Sequence, residues 1–252
     1  MKFTNTEVWG FEHAIRGARN PMNSWDKSDS GWLRYCTCLN PGEEISICSL
    51  SKDIRYGCNY DACDGGSEPE YKIGPSDMDL LQRLIKAGPE HRKFMRQIMV
   101  SVDITAPLYF YKEFDTYKIG TTANSTSTMH KLTSAPITKE CFEMDDYEGS
   151  LLMYECEPYD LDAFTDDIWD NIINYCETLR KSYLETKDKR YWKELIRILP
   201  ESWLQTRTVT MNYENLYSIV RQRSGHKLTE WKSFIDWVHT LPFANELIFL
   251  DK

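Results

Sequence analysis

Apolar residues recur at helical spacing most clearly between Asp162 and Lys187. There Phe164, Ile168, Ile172, Cys176, Leu179 and Tyr183 follow one another at intervals of four, four, four, three and four, which predicts a long amphipathic helix with that stripe in the core. A second helix is predicted over Tyr191–Leu199, stopped by Pro200. Asn212 is placed to cap a third, with Leu216, Ile219 and Val220 inward and Arg221 and Arg223 at its end. A fourth runs from about Leu228 to Leu241 through Trp231, Ile235 and Val238.

The first half of the chain alternates more. Residues 1–30 read as a strand, a short helix and a turn at Asn20-Pro21. A helix opens at Ser76, with Asp79 three positions on as in a capping box; it carries Leu80, Leu81, Leu84 and Ile85 and is stopped by Gly88-Pro89. The β-branched run Ile98–Ile104 predicts a strand that a short helix around Phe94 can precede, while the aromatic run Leu108–Phe114 beyond Pro107 has no assignable period. Mixed strands and helices in this order suit an α/β (α+β) class, and 252 residues fit one large domain as well as two small ones, with the stretch at about 31–75 the likeliest insertion.

That insertion carries Cys36, Cys38, Cys48, Cys58 and Cys63 and the loop-forming Gly65-Gly66. It has no C-x-x-C pair, so half-buried thiols in a reducing compartment are the better reading and a zinc site at Cys36, Cys38, Cys58 and Cys63 the weaker one. Cys141, Cys156 and Cys176 read as core residues. Acidic residues outnumber basic ones by 39 to 30, and no long basic block is present, which argues against a nucleic-acid polymer as partner. The longest apolar stretch, around Ile104–Tyr111, is far short of the roughly 20 residues that span a bilayer, and Met1–Asn5 has no signal-like apolar core. A cytoplasmic protein without a membrane segment is the expectation.

The least ordinary segment is Asp115–Lys131, dense in hydroxyl, amide and cationic groups with little apolar periodicity. It reads either as a surface loop or as a ligand-facing segment able to hold a phosphate or a pyrimidine edge. Glu113 and Asp115 read as a solvated strand edge in preference to an acid/base pair.

Several of these pieces, in this order, resemble the flavin-dependent thymidylate synthase (ThyX) family, over most of the chain outside the insertion. Ala18-Arg19 followed by Ser24 is similar to its A-R-x-S segment, and Glu90-His91 to its E-H. Thr122-Ala123-Asn124-Ser125-Thr126-Ser127 reproduces the spacing of S-x-N-x-x-S in its signature. Thr116-Tyr117-Lys118 stands at R-H-R if one extra residue is admitted, Tyr117-Lys118-Ile119 if none is. Arg197-Ile198-Leu199-Pro200 is similar to A-R-x-x-L-P, and Asn212-Tyr213-Glu214-Asn215-Leu216 with Arg223 to the N-x-R-x-L helix. Glu230 falls where the family has an acidic residue.

The resemblance implies a central, mainly antiparallel sheet flanked by long helices and a homotetramer. It also implies reductive one-carbon transfer to a dUMP-like pyrimidine deoxynucleotide, with FAD bound and methylenetetrahydrofolate and NADPH as co-substrates. By position it assigns Ser127 and Asn124 to catalysis. His91, Tyr117, Lys118, Asn212 and Arg223 go to the flavin, and Ser125, Ser127, His130, Lys131 and Arg197 to the substrate. Two motif arginines are replaced, by Met129 and Glu214, which lack the fork that binds phosphate. Lys118, His130, Lys131 and Arg223 are the cations that can rebuild an anion site. A nucleotide binder of the same fold without turnover is the alternative, and a scaffold that kept only the core is the third reading.

Overall fold

The computed structural model describes residues 1–33, 70–144 and 162–250, without the side chains of 162–167. The five clustered cysteines and Cys156 lie outside the described residues. The chain divides into two compact units. One is Met1–Thr6, Ser101–Thr210 and Ser224–Trp237; the other is Glu7–Val100, Met211–Arg223 and Val238–Lys252.

Strand β1 (Lys2–Trp9) leads into α1 (Phe11–Arg19), β2 (Gly31–Leu33), β3 (Glu70–Lys72) and α2 (Pro75–Lys86). A 3₁₀ turn at Arg92–Gln97 precedes β4 (Met99–Pro107) and α3 (Leu108–Phe114). Then come β5 (Thr122–Ser125), α4 (Thr128–Lys131), α5 (Asp162–Thr186), α6 (Lys189–Ile198) and β6 (Leu204–Asn212). The chain ends with α7 (Tyr213–Arg223), α8 (Thr229–His239) and α9 (Ala244–Leu247). The main sheet has the order β1-β4-β6-β5, and β2 pairs with β3 antiparallel, joining the two ends of the cysteine-bearing segment.

In the first unit the two central strands alternate strictly. Val102, Ile104 and Ala106 of β4 and Val209 of β6 are buried on one face. The other face carries Ser101, Asp103 and Thr105 against Thr210, Thr208 and Thr206. Those pairings run in opposite directions along the two strands, so β4 and β6 are antiparallel. The apolar side holds an aromatic core in which Phe110, Phe114, Trp231 and Phe234 are fully or nearly fully buried, and Phe3 stacks on Trp237. The aromatic run without a period is thus helix α3, because its three buried rings Phe110, Tyr111 and Phe114 lie at helical spacing. Glu113 accordingly sits on a helix and not on a strand edge.

A second cluster packs Leu132, Ile137 and Phe142 against Ile173, Cys176 and Leu179 of α5 and Leu195 of α6. The long helix is where its period predicts: Cys176 and Leu179 of the stripe are buried and Ile172 packs partly buried against the cluster, joined by Ile173, while Ile168 is 41% exposed. Cys176 is buried and its thiol pushed up to about 11 by desolvation, so it is a core residue; Cys141 is only partly buried. Glu177 turns the other way, accepting from Arg180 at 2.7 Å and from the Ile137 N–H at 2.9 Å. The Arg180 hydrogen bonds outweigh partial burial and bring its carboxyl from 4.5 to about 2.

In the second unit Gly10 links β1 to α1 at φ +97°, where a Cβ would lie 2.1 Å from the Gln97 carbonyl oxygen, so only glycine fits. Helix α2 stops at Gly88, φ +111°, as its sequence predicts. Its start differs from the prediction. Ser76 caps nothing; the Ser76 and Asp77 N–H groups donate to Asp29, and Asp77 itself is buried. Asp77 accepts from Arg19 Nε at 2.5 Å, from the Ser28 and Ser30 hydroxyls at 2.7 and 2.6 Å, and from the Asp29 and Ser30 N–H groups. Burial by itself would raise its pKa, but the hydrogen bonds from Ser30, Ser28 and Arg19 prevail and hold it below the usual range.

Two outcomes follow. Asp77→Ala leaves a buried guanidinium uncompensated and is expected to cost about 3–5 kcal/mol in urea unfolding; a loss below 1 kcal/mol would contradict the network's role. Glu177 has a lowered folded pKa, so its contribution is full above the ordinary carboxylate range and is lost as pH falls through about 4.5 towards about 2. In melts across that window Glu177→Gln is expected to be flatter than the natural chain.

Candidate functional site

Residues Asp115–Lys131 are not a free loop. Strand β5 lies antiparallel on β6 with Thr122 opposite Thr210, Ala123 opposite Val209, Asn124 opposite Thr208 and Ser125 opposite Arg207. The Thr126 N–H continues the ladder to the Thr206 carbonyl at 2.9 Å. Gln205 Nε2 then donates to the Thr126 carbonyl at 2.9 Å, tying down the turn. Ser127 caps α4, its Oγ accepting from the His130 N–H at 3.1 Å. Hydroxyl and amide residues without apolar alternation form this strand because β6 supplies the partner.

Directly opposed residues in an antiparallel pair share a face. Asn124 therefore lies with Thr208, whose hydroxyl donates to Asp103 at 2.5 Å, while Asn5 Nδ2 donates to the other Asp103 oxygen at 2.8 Å. Those two hydrogen bonds hold the Asp103 carboxyl below its usual range. Ser125 lies on the opposite face with Arg207. The two neighbouring signature residues thus serve different surfaces of one strand.

Arg207 was not a sequence candidate, and its guanidinium is held by three neighbours. Its guanidinium lies 3.7 Å from the centre of the Tyr111 ring; Nε donates to Gln205 Oε1 at 3.0 Å and Nη1 to Asp115 at 2.7 Å. Tyr111 is itself fixed, its hydroxyl donating to the Ile104 carbonyl at 2.6 Å and approaching that of Gln205 at 3.1 Å. Desolvation pushes its pKa up, so the ring stays a neutral platform. The missed signal was the alternation Thr206-Arg207-Thr208-Val209-Thr210-Met211, a strand period hidden by threonine and arginine.

The other first-unit candidates are more open. Tyr117 is half-buried with its ring edge-on to Trp231, and Lys118, Met129, His130 and Lys131 are exposed. Arg197 is exposed and pairs with Glu194 one turn away at 3.0 Å. Beside Tyr117, Trp231 Nε1 donates to Glu113 at 2.7 Å and His226 Nε2 faces the same oxygen at 3.4 Å. Glu230 is buried and accepts from the Tyr109 hydroxyl, whose pKa desolvation raises further.

In the second unit His91 is exposed at the start of the 3₁₀ turn. Asn212 is buried and caps α7 as its position predicts, Oδ1 accepting from the Asn215 N–H at 3.0 Å. Arg223 is half-buried at the end of that helix. Arg19, the A-R-x-S arginine, is committed to Asp77. Glu214, which stands in the place of an arginine, is paired twice: with Arg92 Nε at 3.3 Å and with Arg96 Nε. Arg92 and Arg221 both lie over the Tyr217 ring, at 4.3 and 3.2 Å. Among the described residues no cluster of three metal-ligating side chains occurs, and no helix is long and apolar enough to cross a membrane.

No family model matches the chain, and no curated protein matches it in sequence. Solved structures do. A flavin-dependent thymidylate synthase ThyX from Helicobacter pylori, complexed with FAD and dUMP, superposes with a TM-score of 0.60 at 14% identity, covering 100% of this chain and 99% of that one. A second ThyX structure from the same organism, also with FAD and dUMP, gives 0.62 at 15% identity, with 100% and 98% covered. At that identity the likeness speaks for the fold, and over its whole length this chain has the fold of ThyX.

Proposed function

We propose that the chain is a divergent flavin-dependent thymidylate synthase-like enzyme. It transfers a one-carbon unit reductively to a dUMP-like pyrimidine deoxynucleotide, with FAD bound and methylenetetrahydrofolate and NADPH as co-substrates. What carries this reading is the segment Thr122–His130, which has the signature spacing and is hydrogen-bonded into a strand and cap across from a fixed guanidinium. Full-length likeness to two structures of ThyX complexed with FAD and dUMP supports it. A homotetramer in the cytoplasm belongs to the same proposal.

The residues fit the groups such a reaction needs. Hydroxyls of Ser125 and Ser127, the amide of Asn124, the His130 imidazole and the cations Lys118, Lys131 and Arg197 suit a phosphorylated pyrimidine. Ser127 Oγ already accepts from the His130 N–H, so its own proton remains to donate to a ring oxygen. For the flavin, His91, Tyr117, Lys118, Asn212 and Arg223 are the candidates. Arg92 and Arg96 set two guanidinium groups around the Glu214 carboxylate, with the charge of Glu90 also acting on Arg96. Bound FAD would supply the hydride chemistry; these side chains bind, orient and exclude water.

A second reading, nucleotide binding without turnover, draws on Met129 and Glu214 at two arginine positions of the family pattern. The absorbance spectrum of the protein purified alone, and again after FAD is supplied and the excess removed, separates the two. Retained flavin bands that bleach with reductant and return on adding dUMP and methylenetetrahydrofolate support the enzyme. A colourless protein releasing an ultraviolet-absorbing nucleotide on denaturation supports the second reading, and neither signal sinks both.

Glu214 gives an independent check. Glu214→Arg restores the family's residue type but gathers three guanidinium groups where the structure has two around a carboxylate that is 13% exposed. A loss of about 2 kcal/mol or more in chemical unfolding is expected, and a neutral result would show that the Arg92 and Arg96 pairs are dispensable.

A further inference from the structure

Arg207 stands on the apolar side of β6, in register with Val209 and Met211, whose side chains are fully buried. Its own side chain is only 15% exposed. A charged group there costs free energy that an apolar residue of like volume would avoid. Folding therefore gives no reason for an arginine at this point, yet the surroundings fix it on three sides: the Tyr111 ring beneath, Gln205 at Nε and Asp115 at Nη1. Gln205 also holds the Thr126 carbonyl and approaches the Thr128 hydroxyl at 3.4 Å, so one side chain sets both the guanidinium and the hydroxyl-rich turn.

The two partners of the fork differ in kind. Gln205 is buried, whereas the Asp115 side chain is 52% exposed just past the end of α3. An ion pair with so exposed a carboxylate is weak in water and exchanges readily for a stronger anion. The described contacts take two of the five N–H groups that a guanidinium carries. Ser125, opposite in the ladder, lies on the same face.

We propose that Arg207 is the phosphate-binding arginine of this chain, taking the phosphoryl group of a nucleotide monoester, and that Asp115 is the internal counter-ion which that group displaces. A dianionic phosphoryl group accepts two parallel N–H bonds from a guanidinium edge and further bonds from hydroxyls, which neither lysine nor methionine can reproduce. The assignment rests on the nucleotide reading above and adds to it the residue that selects for the phosphate.

Calorimetric titration with dUMP and, separately, with unphosphorylated deoxyuridine tests it. The natural chain is expected to prefer dUMP by about tenfold or more, and Arg207→Gln to lose that preference while still binding deoxyuridine. Arg207→Lys should recover only part of it. Asp115→Asn, which removes the competing carboxylate, should bind dUMP several-fold more tightly and deoxyuridine as before, a gain that a merely structural role for the pair would not give. An Arg207→Gln protein with native circular dichroism and an unchanged preference would overturn the assignment while leaving the nucleotide reading standing. If Arg207→Gln does not fold, Asp115→Asn decides: unchanged or weaker dUMP binding overturns the assignment. Failure of the natural chain to bind dUMP overturns both.

Discussion

The phenol of Tyr111 is the constraint on which the first unit depends. Its hydroxyl reaches the backbone of both central strands, at Ile104 and Gln205, from helix α3, and its ring is buried among Phe110 and Phe114. One side chain thereby fixes how α3 lies on the sheet and gives Arg207 an apolar surface to rest on. Removing the ring would uncover the guanidinium as well as leave a cavity, so core packing and candidate chemistry are coupled at one residue.

Charge in this chain has been redistributed more than lost. Where the family pattern has an arginine on the α7 helix, this chain has Glu214, and the 3₁₀ turn before β4 supplies Arg92 and Arg96 around it. A carboxylate alone at that position would repel a phosphate; a carboxylate shared by two arginines has its charge offset and fixes their orientation. In the other unit Met129 is exposed and uncharged, and the charged side chain fixed on β6 is Arg207, over Tyr111. Position-by-position matching counts both sites as losses, because it compares residues at one place in a motif. A phosphate responds to donors in space, whichever strand they come from.

Much of the fold was legible in the sequence. Helices α1, α2 and α5 to α8 and strand β4 announce themselves by spacing, proline and glycine stops, and the Asn212 cap, because local chemistry decides them. What escaped was settled at long range. The α2 cap comes from Asp29, far back in the chain, and Ser76 merely imitates one. Strands β5 and β6 are polar on the face that carries Thr206, Thr208 and Thr210, so the apolar signal that usually marks a strand is halved. Ile168 fits the stripe of α5 by number yet is exposed, although Cys176 and Leu179 of the same stripe are buried. Of the candidate residues, Asn124 and Ser127 stand out in the sequence by their spacing, while the fixed positions of Arg207, Gln205 and Asp103 do not show there, as each is set by neighbours distant in the chain.

The pleat of β5 sharpens what the signature residues can do. Asn124 and Ser125 are adjacent in sequence but face opposite ways, the first towards Thr208 and Asp103, the second towards Arg207. A single small ligand lying flat on either face meets one of them, so both act together only on a ligand that wraps the β5 edge or reaches past the turn at Thr126. Ser127 lies beyond that turn, where the strand's alternation has ended and its hydroxyl is set by the helix cap instead. The constellation is therefore best described as a strand edge and the helix start that follows it, with the cap fixing Ser127 and the ladder fixing Ser125. The geometry of such an edge is set by backbone hydrogen bonds to β6, which fix where its side chains stand whatever their identity.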